Sequence, residues 1–359
     1  MFCARCHREF DEGRFCPYDG TKLLDAPDIT LFTSRPTRRR GEVLGDRYTI
    51  RGYLGRGAMA KVYLAEDDHT HRPVAIKVLE PTHAGAQRTR ERFLREAQAA
   101  AMIGHPNIVR VFDVGQRDDR SPYLVMEYLF GEPLGDWLRR DTTMDADLAV
   151  PVLRNAASAL GAAHRTGIIH RDIKPDNIFL VGEPGDPYAV KVLDFGLAKN
   201  AAQSGLTVTG FAVGTVEYMS PEQVVSDDPD PRTDVYALGI VMFRTFTGAL
   251  PFARIEDDTD ILVQHLLVAL PRPSLYRPDL DPRIEAIILK AARKHPDNRY
   301  PSMDHLIDDL DRLATDRPLL AETPLATPDD VYTPQGVFAR RATAYFYRRL
   351  GVLPRPLQG

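Results

Sequence analysis

His170-Arg171-Asp172-Ile173-Lys174-Pro175-Asp176-Asn177 packs a base, a cation and a metal ligand into one short run. Held as a rigid loop, such a run lets Asp172 accept the proton of an attacking hydroxyl, Lys174 sit beside a transferring phosphoryl group and Asn177 hold a divalent ion. Taken alone, a charged run between hydrophobic segments is more often a solvated turn. The surrounding sequence decides between the two.

Upstream, the chain breaks into short β-branched and aromatic runs, and Tyr48 to Leu54, Val62 to Glu66 and Pro73 to Leu79 are predicted as three successive antiparallel strands. The turn between the first two carries Gly55-Arg56-Gly57. Glycines there let the backbone close over phosphates with its N–H groups inward, while Val62 covers a flat base. A lone Gly-x-Gly is weak evidence. Val74-Ala75-Ile76-Lys77 strengthens it, because at strand spacing the lysine projects back under the same turn. Residues 88–103 have the alternating charge and alanine content of a helix, with Phe93, Ala97, Ala100 and Ala101 at core spacing and Glu96 placed to pair with Lys77. His105 to Val109 is expected to start another strand, and Tyr123 to Leu129 a further one. Downstream, residues 147–166 place Ala149, Val152, Ala156, Leu160 and Ala163 on one stripe of a buried helix. Ile178 to Val181 and Val190 to Leu193 read as a small hairpin, and the apolar stretch from Asp234 to Phe246 as a central helix.

In this order and at this spacing, the motifs resemble the eukaryotic-type Ser/Thr protein kinases, most of all their bacterial members, from about residue 47 to 313. The resemblance implies an α+β, two-lobed protein kinase fold: a small antiparallel β lobe with one helix, and a larger helical lobe. It implies transfer of the ATP γ-phosphate to Ser or Thr hydroxyls of proteins, with magnesium or manganese. Asp172 is then the catalytic base with Lys174 beside it, Lys77 the phosphate lysine with Glu96 as its partner, and Asn177 and Asp194 the metal ligands. Leu54, Gly55, Arg56, Gly57 and Val62 would cover the nucleotide. Ala75 and Met126 would line the adenine pocket, with backbone groups of Glu127 to Leu129 meeting the adenine edge. Ala60 stands where the family's third loop glycine belongs, which implies altered loop mobility rather than lost binding.

Asp194-Phe195-Gly196 to Ser220-Pro221-Glu222 resembles an activation segment, in which Thr207 and Thr209 match the autophosphorylated Thr-x-Thr of bacterial relatives. Arg171 would receive such a phosphate. Lys174 together with Thr215 resembles the Ser/Thr-specific branch. Asp234, and Arg299 paired with Glu222, are implied to be scaffold. The alternative is a nucleotide-binding pseudokinase scaffold acting through the terminal segments. The complete set of Lys77, Glu96, Asp172, Asn177 and Asp194 argues against it, since a scaffold needs neither a base nor two metal ligands.

The remaining sequence sets outer limits. A net charge of -4 over 359 residues gives no reason to expect nucleic acid as a partner. No apolar run approaches the roughly 20 residues needed to cross a bilayer, and the first residues lack a signal peptide's apolar core, so a cytoplasmic location is expected. Residues 1–24 form a zinc-ribbon-like segment: Cys3, Cys6 and Cys16 have ligand spacing, Asp19 occupies the fourth place, and His7 competes for it. Residues 25–46 read as a flexible basic linker with a solvated Arg38 to Arg40 run. Residues 314–359 read as a Pro-rich linker and a basic amphipathic helix near 335–350, of a kind that docks on a membrane surface, on a partner or, the preferred reading, on the chain's own kinase domain. Protein substrates and self-association for autophosphorylation are the expected partnerships.

Overall fold

From Tyr48 onward, alternating apolar and polar residues produce long antiparallel strands in the computed structural model of the chain. It describes residues 37, 39–57, 60–80, 93, 103–182, 188–195, 216–225, 230–252, 254 and 258–321, with the backbone at 2–3 and 23–24. The chain divides into two compact units, Met1–Glu132 with Phe179–Ala198, and Pro133–Ile178 with Lys199–Gly359.

In the first unit, β1 (Phe2–Cys3) pairs antiparallel with β2 (Leu23–Leu24). The main sheet is built of β3 (Val43–Leu44), β4 (Tyr48–Arg56), β5 (Ala60–Asp67), β6 (Arg72–Leu79), β7 (Val111–Gln116) and β8 (Pro122–Glu127), in the order β3-β4-β5-β6-β8-β7. Strand alternation sends Tyr48, Ile50, Tyr63, Ala65, Val74, Ile76, Val78, Tyr123 and Val125 into one buried cluster. Ala60, Leu79, Leu124 and the helical residue Phe93 form a second, smaller cluster. β4 runs two residues beyond its expected end, with register shifts between Ile50 and Gly52 and between Tyr53 and Gly55.

His105 to Val109 does not begin a strand. His105 Nδ1 accepts the Asn107 N–H at 3.2 Å, and Ile108 makes only an isolated parallel bridge to Val192, so the regular strand starts at Val111. The expected hairpin is present as β10 (Ile178–Val181) and β11 (Ala189–Val192), joined by a short β9 (Gly131–Pro133) that the sequence did not disclose. Gly131 is required there, because its φ is 142° and a Cβ would lie 1.9 Å from the Leu180 carbonyl oxygen.

The second unit is helical around Arg232–Thr247, buried on all sides from Thr233 to Phe243. Gly239 lets helix Pro282–Ala291 approach it, since a Cβ there would meet the Ala291 side chain at 2.9 Å. Helix Ala146–Arg165 buries the whole expected stripe of Ala149, Val152, Ala156, Leu160 and Ala163. Helix Met303–Ala314 packs on it, joined by the Arg154–Asp311 ion pair at 2.6 Å. Among the described residues, no helix is long and apolar enough to cross a membrane. The C-terminal basic helix near 335–350 lies outside the described residues.

Candidate active site

In the first unit, strand register alone assembles one functional face. Gly55 opposes Val62, Val62 opposes Lys77 and Lys77 opposes Leu124, while Ala75 opposes Met126. Directly opposed residues share a face, so Val62, Ala75, Lys77 and Met126 stand together, on the side away from the larger apolar cluster. The β4–β5 turn closes through the Gly57 N–H, which donates to the Ala60 carbonyl at 2.8 Å. Arg56 and Lys61, opposed at its base, both reach Glu80, at 3.2 and 2.5 Å. Leu54 is exposed next to this turn.

Lys77 Nζ lies 2.8 Å from Asp194 Oδ1, with the lysine largely buried and the aspartate nearly half exposed. Asp194 has a positive φ of 52° and is followed by the buried Phe195. The strand that leads to it is held by the 107–109 segment. Asn107 Nδ2 donates to the Val190 carbonyl at 2.9 Å, and the Val192 N–H to the Asn107 carbonyl at 2.8 Å. Lys191, between buried Val190 and Val192, donates to the buried Glu127 carboxylate at 2.5 Å. That carboxylate also accepts the Arg110 N–H at 2.8 Å. The Glu127 N–H in turn donates to the Arg110 carbonyl at 2.9 Å, so this amide is committed within the sheet and is not the group that meets a base. Leu129 follows in the half-buried stretch 128–130.

In the second unit, the run from His170 to Asn177 is folded on a buried carboxylate. Asp234, in the first turn of its helix, accepts the His170 and Arg171 N–H groups at 2.8 Å each and His164 Nε2–H at 2.7 Å. Burial pushes its carboxyl up, but the hydrogen bonds and charges of His164 and His170 outweigh this and hold it below the usual range. Arg171 has a positive φ of 64°, and His170 Nδ1 accepts the Asp172 N–H at 3.2 Å. Asn177 Nδ2 donates to the Asp172 carbonyl at 2.7 Å, and Lys174 Nζ lies 3.2 Å from Asp172 Oδ2. Asp172, Lys174 and Asn177 are therefore brought together as one group.

Residues 48–310 match the protein kinase domain family. The chain belongs to that family. It is 40% identical over 280 residues to serine/threonine-protein kinase PknB of Mycobacterium tuberculosis, covering 77% of this chain and 44% of that protein. It is 45% identical over 251 residues to serine/threonine-protein kinase Pkn1 of Myxococcus xanthus, covering 70% of this chain and 36% of that one. The chain thus spans less than half the length of these two curated relatives. The crystal structure of the Mycobacterium tuberculosis PknI kinase domain superimposes with a TM-score of 0.58 at 28% identity, covering 76% of this chain and 98% of that one.

The chain also closes a buried ion pair between Glu222 and Arg299. Arg299 meets Glu222 with two parallel bonds of 2.7 Å, Thr233 Oγ1 donates to the same carboxylate at 2.8 Å, and both charged side chains are buried. Burial raises the Glu222 carboxyl, and the Arg299 guanidinium overrides this and lowers it. Spacing alone could not have disclosed the Lys191–Glu127 contact; a lysine centred in a buried strand was its only signal. Glu96, Gly196, Thr207, Thr209, Thr215, Cys6, His7, Cys16 and Asp19 lie outside the described residues, as does the side chain of Cys3.

Proposed function

We propose that this kinase-family chain transfers the γ-phosphate of ATP to Ser or Thr hydroxyls of proteins. The observation that carries the reading is the Asp172, Lys174 and Asn177 group, seated through two backbone amides on Asp234. In the reaction, a carboxylate oxygen of Asp172 accepts the proton of the attacking hydroxyl. Lys174 offsets negative charge beside that oxygen. Lys77 contacts the nucleotide phosphates, with Val62, Ala75 and Met126 against the base on the same sheet face and the Gly55 to Gly57 turn over the phosphates. Leu54, Arg56, Glu127 through its carbonyl, and Leu129 complete the nucleotide contacts.

The donor set suits a hard divalent cation. Asn177 spends its amide nitrogen on the Asp172 carbonyl, which leaves an oxygen as the ligand atom, and Asp194 supplies a carboxylate. Asn177 and Asp194 would each offer an oxygen to magnesium or manganese, which would offset charge on the transferring phosphate. Glu96 is read as the helix partner of Lys77, and Thr207 and Thr209 as activating phosphorylation sites formed by self-association in a cytoplasmic protein. The kinase unit is assigned to 47–313, between a basic linker at 25–46 and a Pro-rich, basic C-terminal part at 314–359.

For residues 1–24, we infer a zinc site at Cys3, Cys6, Cys16 and Asp19. The backbone pairing of Phe2–Cys3 with Leu23–Leu24 supports it, since that pairing joins the two ends of the segment that carries these residues. Zinc content by elemental analysis near one ion per chain is expected, and a content near zero with three titratable thiols removes the site.

Incubation of the chain with magnesium and γ-labelled ATP, followed by mapping of labelled residues, tests the kinase reading. Label is expected on Ser or Thr of protein, including Thr207 or Thr209. Asp172→Asn is expected to lower transfer by roughly 10²–10⁴-fold at unchanged nucleotide affinity. Equal transfer by the variant would sink the assignment of the base.

A further inference from the structure

One buried titratable group in the second unit has no part in the chemistry above. His265, on helix Asp258–Leu267, is fully buried and spans two elements. Its Nε2 stands 3.1 Å from the Glu217 carbonyl and its Nδ1 2.8 Å from the Tyr236 hydroxyl. A carbonyl only accepts, so Nε2 carries the proton and Nδ1 accepts from Tyr236. Lys294 Nζ, also fully buried, donates to the Tyr236 oxygen at 3.4 Å and to the Gln264 carbonyl at 3.2 Å. The result is a directional relay from Lys294 through Tyr236 and His265 to Glu217.

The relay ends on the short 3-10 turn Val216–Tyr218, which is gripped a second time by Arg244, whose Nη1 donates to the Tyr218 hydroxyl at 2.6 Å. The same segment continues to Gln223. Its side chain accepts the Ser220 N–H at 3.1 Å and donates to the Arg171 carbonyl at 2.8 Å, next to Asp172. Gln223, at the end of this segment, therefore holds the residue that precedes the base, so a peptide hydroxyl that reaches Asp172 meets this end of the segment as a neighbour.

We infer that His265 is a positioning residue for the protein substrate, fixing the 216–223 segment through the Glu217 carbonyl. The inference rests on the kinase reading and deepens it by naming what shapes the peptide-binding side of the site. Its imidazole is a better fit than an aliphatic side chain because it bridges a hydroxyl donor and a carbonyl acceptor at once. Loss of either contact leaves a buried polar group without its partner and frees the turn to shift.

The test uses the full chain and a threonine-containing peptide chosen from an array by turnover with the unsubstituted protein. His265→Leu is expected to raise the peptide KM about tenfold, the factor carried by one lost buried hydrogen bond, with the ATP KM within about twofold. His265→Gln, which keeps a donor for Glu217, is expected to recover most of that loss. A fall in kcat with both KM values unchanged, or equal damage in the Gln and Leu variants, overturns the inference and marks His265 as structural only. If the Leu variant does not fold, Tyr236→Phe reads the same relay, because it keeps the ring beside Arg299 and removes only the hydroxyl. An unchanged peptide KM in Tyr236→Phe then overturns the inference. Transfer to no peptide by the unsubstituted chain overturns the kinase reading and this inference with it, whereas normal transfer without a KM change overturns this inference alone.

Discussion

Lys77 Nζ and Asp194 Oδ1 meet at 2.8 Å within one compact unit, although 117 residues separate them in sequence. The lysine is delivered by β6, which pairs on both sides, and the aspartate by the end of β11, which is clamped by Asn107 and Lys191. Both charges thus stand on or just beyond strands held by sheet pairing and side-chain clamps. On the proposed kinase reading, this pair sets a cationic group for phosphate beside a carboxylate for a cation.

Replacing Lys77 by Met keeps the stem that packs against the sheet and deletes the charge. Phosphate transfer is expected to fall by about 10²-fold or more, as for removal of one preorganised electrostatic contact, while the unfolding midpoint changes little. Transfer assays alongside urea denaturation check this. Near-normal transfer would show that the nucleotide phosphates lie elsewhere.

The Arg299–Glu222 pair makes a different kind of prediction, about stability. Both groups are buried, and Arg299 also donates to the carbonyls of Arg232, Arg293 and Lys294. Arg299→Met leaves a buried carboxylate uncompensated and is expected to cost about 3–5 kcal/mol. The double variant Glu222→Gln/Arg299→Met removes the stranded charge and is expected to be less damaged than Arg299→Met alone. Denaturant titrations of the unsubstituted chain, Glu222→Gln, Arg299→Met and the double variant decide it; additive losses would mean that the pair does not act as a unit.

How much of this was readable beforehand depended on the distance over which each signal acts. Strand and helix periodicity is local, so β4, β5, β6 and the stripe of helix Ala146–Arg165 were legible to within a few residues. The grouping of Asp172, Lys174 and Asn177 was legible because it lies inside one eight-residue run. Gly131–Pro133 escaped notice because three residues carry no period, and its pairing depends on a glycine pressed against Leu180. Glu127 with Lys191, and His265 with Tyr236 and Glu217, are contacts between residues far apart in sequence. Nothing in local pattern distinguishes such a lysine or histidine from a solvated one. Arg299 and Glu222 could be paired in advance only by resemblance.

The pH dependence of stability follows from His265. Burial, with the Lys294 charge adding to it, holds this imidazole well below its ordinary value of 6.5. The folded chain therefore keeps His265 neutral, while the unfolded chain takes up a proton as the pH falls through 6.5. Stability from this group is complete above that value and declines below it, by up to about 1.4 kcal/mol per pH unit. Asp234 and Glu222 act in another window. Their carboxyls are lowered from ordinary values of 3.8 and 4.5, so their contribution is present above those values and is lost only as the pH falls through the lower, folded ones. The interval from about pH 6.5 to 5 thus separates the histidine from these two carboxylates, and comparison with His265→Gln separates it from the chain's other histidines. Urea midpoints at about pH 7, 6 and 5 are expected to fall steadily for the unsubstituted chain, and His265→Gln is expected to flatten that slope by about one proton. An identical slope in the two proteins would mean that His265 titrates in the folded state as it does in the unfolded one, contrary to a side chain sealed between Tyr236, Lys294 and the Glu217 carbonyl.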